Sequence, residues 1–185
     1  MPRVNVRAVL AALAASHAVF FTAGAHASAC RGARTVPTAA TLARARQATL
    51  CIVNAERRRH GERALRTNAQ LQRSAAAYAR DMVREAFFAH ITPSGLTFVD
   101  RIRRGTHYLD GVMRWRLGEN LAWGIGAQST PAGIVSAWMA SPEHRHVLLD
   151  AGFREMGMGI SPGAPVAVAG PEPTATYVNH FGRRG

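Results

Sequence analysis

The chain has 185 residues, two cysteines and a net charge of +12, and all 23 of its basic side chains are arginine. This length fits one domain with a single core, and the two cysteines, 30 and 51, lack metal-ligand spacing. Such a charge balance suits anionic envelope polymers, phospholipid head groups or nucleic acid; without a reading element or an aromatic-studded basic groove, no specific nucleic-acid role is expected.

Residues 1–27 have the layout of a cleaved signal peptide. Arg3 and Arg7 form a positive lead, an apolar run spans about Ala8 to Ala25, and Ala25-His26-Ala27 and Ala27-Ser28-Ala29 offer small-residue cleavage sites. Export to an extracellular or periplasmic space is expected. An uncleaved membrane anchor and a lipoprotein with Cys30 acylated are the competing readings, and Ala27 fits the lipoprotein pattern poorly. In an oxidising compartment Cys30 and Cys51 have one possible pairing, a disulfide pinning the new amino terminus to the first helix. The alternatives are two free thiols or lipid on Cys30. Past the signal there is no second apolar span, so no transmembrane segment is expected in the exported chain.

Residues 28–47 form a Pro-containing lead, in which Thr41 begins a helix running to about His60. The run Arg57-Arg58-Arg59-His60 reads as a solvated helix end, favoured by the dipole, with Gly61 as a stop. Thr67-Asn68-Ala69-Gln70 has capping-box spacing. Behind it Leu71, Ala75, Tyr78, Met82 and Ala86 make one face of an amphipathic helix ending near Phe87. His90 to Gly95 reads as a loop, Thr97 to Arg103 as a helical turn, and Trp115 to Gly124 as a strand with Leu117, Glu119 and Leu121 on one face. Thr130-Pro131 and Ser141-Pro142 each open a helix. Strands follow at Met156–Ile160, Val166–Ala169 and Thr174–Phe181. Helices first and strands last give an α+β domain with helices packed on an antiparallel sheet.

Three dispersed polar residues are the candidates for chemistry. His144 lies in the opening turn of a helix capped by Ser141, where the dipole disfavours a second positive charge and keeps the imidazole neutral. Glu119 sits in an apolar strand, so its carboxylate must be paired, hydrogen-bonded or liganded. His90 lies where a helix gives way to a loop. His60, His107 and His180 have no convergent neighbours in sequence and read as surface or core histidines. No nucleophile elbow, H-E-x-x-H or phosphate-binding glycine loop is present.

In this order the segments resemble the CAP superfamily of cysteine-rich secretory, antigen 5 and pathogenesis-related proteins, also called the SCP domain. The resemblance covers residues 48–182. It rests on Asn54-x-x-Arg57, Phe88-x-His90, Gly118-Glu119-Asn120-Leu121-Ala122-Trp123-Gly124, Trp138 with Ser141-Pro142-x-His144-Arg145, Met156-Gly157-Met158-Gly159 and Tyr177-x-x-x-Phe181-Gly182. It is nearest the secreted bacterial branch. It implies a three-layer α-β-α sandwich with a small, mainly antiparallel central sheet and a cleft lined by two histidines and two glutamates, the histidines able to bind zinc or another divalent metal. His90 and His144 match the histidines and Glu119 the first glutamate. Ser141 holds the position of the second, for which nearby Glu143 is a candidate substitute.

Two functions follow from the resemblance. One is a secreted binding module for lipid, sterol or anionic envelope polymer, expected as a monomer, with any metal structural or ligand-assisting. The other is a metal-assisted hydrolase of peptides or envelope polymers, with Glu119 as the candidate catalytic residue activating water. Binding ranks first.

Overall fold

The computed structural model describes residues 30–185. The signal peptide expected over 1–27 lies outside the described residues. The elements in chain order are α1 (Leu42–Arg59), β1 (Arg66–Thr67), α2 (Ala69–Arg84), α3 (Phe98–Gly105), β2 (Trp115–Ile125), α4 (Pro131–Ala140), α5 (Pro142–Leu149), β3 (Glu155–Pro162) and β4 (Thr174–Arg184). Short 3-10 turns precede α1 and α4 at Ala39–Thr41 and Gly126–Ser129.

The four strands form one sheet in the order β1-β3-β4-β2. The β2–β4 and β4–β3 pairs are antiparallel, and the two-residue β1 joins β3 in parallel. Helices cover both faces, giving the α-β-α sandwich. On one face Met156, Met158, Ile160, Tyr177 and Phe181 pack against Ile52 and Val53 of α1, Trp138 of α4 and Leu148 of α5. On the other, Ala75, Tyr78 and Met82 of α2 pack on Leu121 and Val178. Helix α2 comes this close because Gly157 and Gly159 present no side chain; a Cβ on either would collide with the backbone around Leu71 and Ala75.

The Cys30–Cys51 disulfide is formed, with Cα atoms 5.8 Å apart. It ties the lead to α1, and Ala33 O accepts from Ala132 N at the start of α4. A Cys30 sulfur in that bond is not available for acylation.

Several local expectations are corrected. The cap of α2 is Asn68, whose side-chain oxygen accepts from the Gln70 and Leu71 amides, while Thr67 belongs to β1. Helix α2 stops at Arg84 because Ala86 turns left-handed at φ 52° and Phe87 N bonds back to Met82 O. The segment 166–169 is irregular and exposed rather than a strand, since no neighbouring strand pairs with it. Arg57 is not part of a solvated helix end but fully buried. Its guanidinium donates to the carbonyls of Arg63, Leu148 and Asp150 at 2.8, 2.7 and 3.1 Å.

Candidate functional site

The site is organised around one carboxylate. Strand alternation turns Glu119 toward the α2–α3 face, and the β2–β4 register sets it directly opposite His180. His180 Nε2 lies 2.8 Å from Oε2, and His90 Nδ1 lies 2.8 Å from Oε1. Arg101, reaching in from α3, donates to Oε2 as well. Burial alone would raise the Glu119 pKa. Hydrogen bonds from His180 and His90, with the charges of His180 and Arg101, overcome this and hold it down at about 2. The group is therefore a carboxylate at any ordinary pH, with its side chain 1% exposed.

The same partners fix the loop that carries His90. Tyr78 of α2 donates its hydroxyl to Ala89 O at 2.6 Å. Arg101 lies over the Tyr78 ring, its Cζ 3.3 Å from the centroid, and donates to His90 O and Leu96 O. The imidazole is thereby oriented while its side chain stays 56% exposed. A carboxylate can only accept, so His90 Nδ1 carries the proton and, in the neutral ring, Nε2 is left with its lone pair free.

His144 stands at the start of α5 across the outer strand. Its Nδ1 lies 2.8 Å from Ser141 Oγ, and its carbonyl accepts from Asn120 Nδ2 at 3.0 Å. Ser141 was expected to cap α5, but its hydroxyl is directed to the imidazole instead. Burial lowers the His144 pKa, nearby His90 lowers it further, and Glu143 opposes them. Both rings thus engage Nδ1, and no described residue bonds either Nε2.

This is how a metal-binding histidine is usually held, with one nitrogen oriented by an acceptor and the other open. That donor chemistry fits one ligand from each ring, His90 and His144. Among the described residues, no three His, Cys, Asp or Glu side chains gather closely enough to ligate together. Glu143 is exposed and forms no hydrogen bond with the site among the described residues.

Arg101 and His180 are the residues that sequence reasoning missed. An arginine in a short polar helix carries no distinguishing signal. For His180 the strand pattern gives the face, but only the pairing register gives Glu119 as its neighbour. His60 bonds its own helix at Glu56 O and His107 pairs with Asp110, so neither belongs to the site.

The model of the CAP family, described as the cysteine-rich secretory protein family, matches residues 50–169. The chain belongs to the CAP family. The Bacillus subtilis (strain 168) protein YkwD, named as uncharacterized, is 33% identical over 108 residues. That match covers 58% of this chain and 39% of YkwD, so the chain spans well under half of that relative's length. The crystal structure of an extracellular SCP-domain protein from Bacillus anthracis superposes with a TM-score of 0.60 at 25% identity. The superposition covers 78% of this chain and 43% of that one. An outer surface protein from Borrelia burgdorferi shares the fold, with a TM-score of 0.57 at 22% identity over 74% of this chain and 90% of that one. Among the described residues, no helix of this CAP protein is long and apolar enough to cross a membrane.

Proposed function

We propose that this CAP protein is an exported binding module for lipid or cell-envelope material, whose His90–His144 cleft takes a divalent ion such as zinc. The disulfide fits an oxidising compartment, and the Bacillus anthracis and Borrelia burgdorferi neighbours are described as extracellular and outer-surface proteins.

The observation that carries the binding reading is the closure of Glu119. A carboxylate that activates water needs a free oxygen and a pKa close enough to neutrality to take a proton. Both Glu119 oxygens are engaged, the side chain is buried, and its pKa is held near 2. Its role is to orient His90. Two apolar side chains flanking that histidine in the chain are exposed, Phe88 at 41% and Ile91 at 54%. Two oriented imidazoles next to apolar side chains suit a ligand with a polar head and a hydrocarbon body. An ion held by His90 and His144 would supply open coordination positions for an oxygen of that ligand.

Zinc titration of wild type, His90→Ala and His144→Ala, followed by extraction of envelope lipids and polymers onto each protein, tests this reading. Zinc affinity should fall at least tenfold in both variants, and bound envelope material should diminish with it. Turnover of a peptide or envelope polymer that Glu119→Gln abolishes would instead favour the hydrolase.

A further inference from the structure

Beyond Glu119 the sheet narrows to a two-stranded ribbon. Strand β3 begins opposite Gly182, so Arg183 and Arg184 pair only with Arg116 and Trp115. Arg103 of α3 stacks over Trp115, its guanidinium 5.6 Å from the ring centroid. Arg114, Trp115, Arg116 and Arg183 border a recess of about 400 Å³.

Charge at this end is only partly compensated. Arg116 pairs with Asp150 at 2.6 Å and Arg184 reaches Glu155 at 3.8 Å. Arg103, Arg114 and Arg183 form no ion pair with a carboxylate among the described residues, and residues 1–29 contain no acidic side chain that could supply one. Two apolar side chains stand out among these cations: Met113 is 92% exposed and Trp115 40%.

We propose that this ribbon end docks the protein on an anionic phospholipid bilayer. Met113 and Trp115 enter the headgroup layer, while Arg103, Arg114 and Arg183 bind lipid phosphates. A soluble polyanion would account for the arginines but leaves the fully exposed methionine without a role. A bilayer accounts for both: tryptophan favours the interface, arginine stems lie along apolar surface with the charge at headgroup depth, and anionic lipid attracts the cations. Glu119 lies four residues along β2, about 13 Å from Trp115, so docking holds the cleft close to the headgroups. The inference rests on the envelope-binding reading and assigns lipid-surface contact to residues outside the cleft.

The test uses the chain from Ser28, which holds every described element, in sedimentation with vesicles of phosphatidylcholine alone or mixed with phosphatidylglycerol. Binding should require phosphatidylglycerol, weaken with salt and blue-shift the tryptophan fluorescence by an amount that Trp115→Ser removes. Arg114→Ser and Arg183→Ser should each weaken it roughly fivefold, and the pair about 25-fold. Trp115→Ser and Met113→Ser should weaken binding to vesicles but not to soluble polyphosphate. Arg114→Ser and Arg183→Ser should bind zinc as wild type does, so docking and the histidine site are read separately. Equal binding to both vesicle types overturns the proposal. So does unchanged binding by a folded Arg114→Ser/Arg183→Ser variant, or tighter binding to polyphosphate with no dependence on Trp115 or Met113.

Discussion

Glu119 and His180 face each other across the β2–β4 ladder, both almost wholly buried, with 2.8 Å between Oε2 and Nε2. A carboxylate in such a position is stable because His90, Arg101 and His180 are all aimed at it. Its neighbours depend on it in turn: Arg101 is 8% exposed at the side chain and has its charge matched by Glu119. His90 is therefore anchored to a buried ionic network.

Replacing Glu119 by Gln should be costly. The amide keeps one acceptor, turns a donor toward Arg101 or a histidine, and leaves a buried guanidinium unmatched. The expected loss is about 3–5 kcal/mol, measured by urea unfolding. Acid titration provides the sign. Glu119 has a folded pKa of about 2 against an ordinary 4.5, so its contribution is fully present above about 4.5 and is lost as pH falls through about 2. The magnitude is about 3 kcal/mol, and the side chain is too buried for solvent to screen it appreciably. Unfolding free energies of wild type should decline across that acid window, while Glu119→Gln should lack this component. Parallel pH profiles for the two proteins would mean that the network does not stabilise the fold.

Ser141 separates orientation from the proposed ligation at His144. It contacts the imidazole at Nδ1 and leaves Nε2 open. Ser141→Ala should reduce zinc affinity about 10–100-fold, the usual effect of losing a histidine's outer partner. Stability should change by less than about 1 kcal/mol, because the half-buried hydroxyl caps no backbone amide of α5. Isothermal titration and thermal unfolding of the same sample distinguish the two effects. A zinc affinity equal to that of wild type would remove Ser141 from the site.

What could be read in the sequence follows its periodicities. The face of α2 and the proline-marked starts of α4 and α5 were legible because apolar spacing and backbone chemistry are local. The side of β2 that carries Glu119 was legible too, because alternation needs no knowledge of the partner strand. The network around it was not. Which β4 residue meets Glu119 depends on register, and the placement of Arg101 depends on how α3 crosses the sheet. Asn68 took the cap from Thr67 because β1 pairs with β3, a contact distant in sequence. Arg57 failed most instructively. A charged run at a helix end reads as solvated by composition, yet one member turns inward because α5 ends beside it with carbonyls to satisfy.

That inward arginine supports the last prediction. The final carbonyls of a helix have no partner within it, and Arg57 Nη1 accordingly donates to Leu148 O and to Asp150 O just beyond α5. Its Nε holds Arg63 O, so one planar guanidinium joins α1, the turn after it and the end of α5. Arg57→Met fills much of the volume but strands these carbonyls in the interior, at a cost of about 3 kcal/mol or more. Arg57→Lys should recover little, because a single ammonium cannot reach acceptors on opposite sides of a planar fork. Amide hydrogen exchange should show protection falling first in α5 and in the segment following α1. If Arg57→Lys matches wild type in both stability and exchange, charge alone is sufficient at this position and the fork geometry is not what joins the elements.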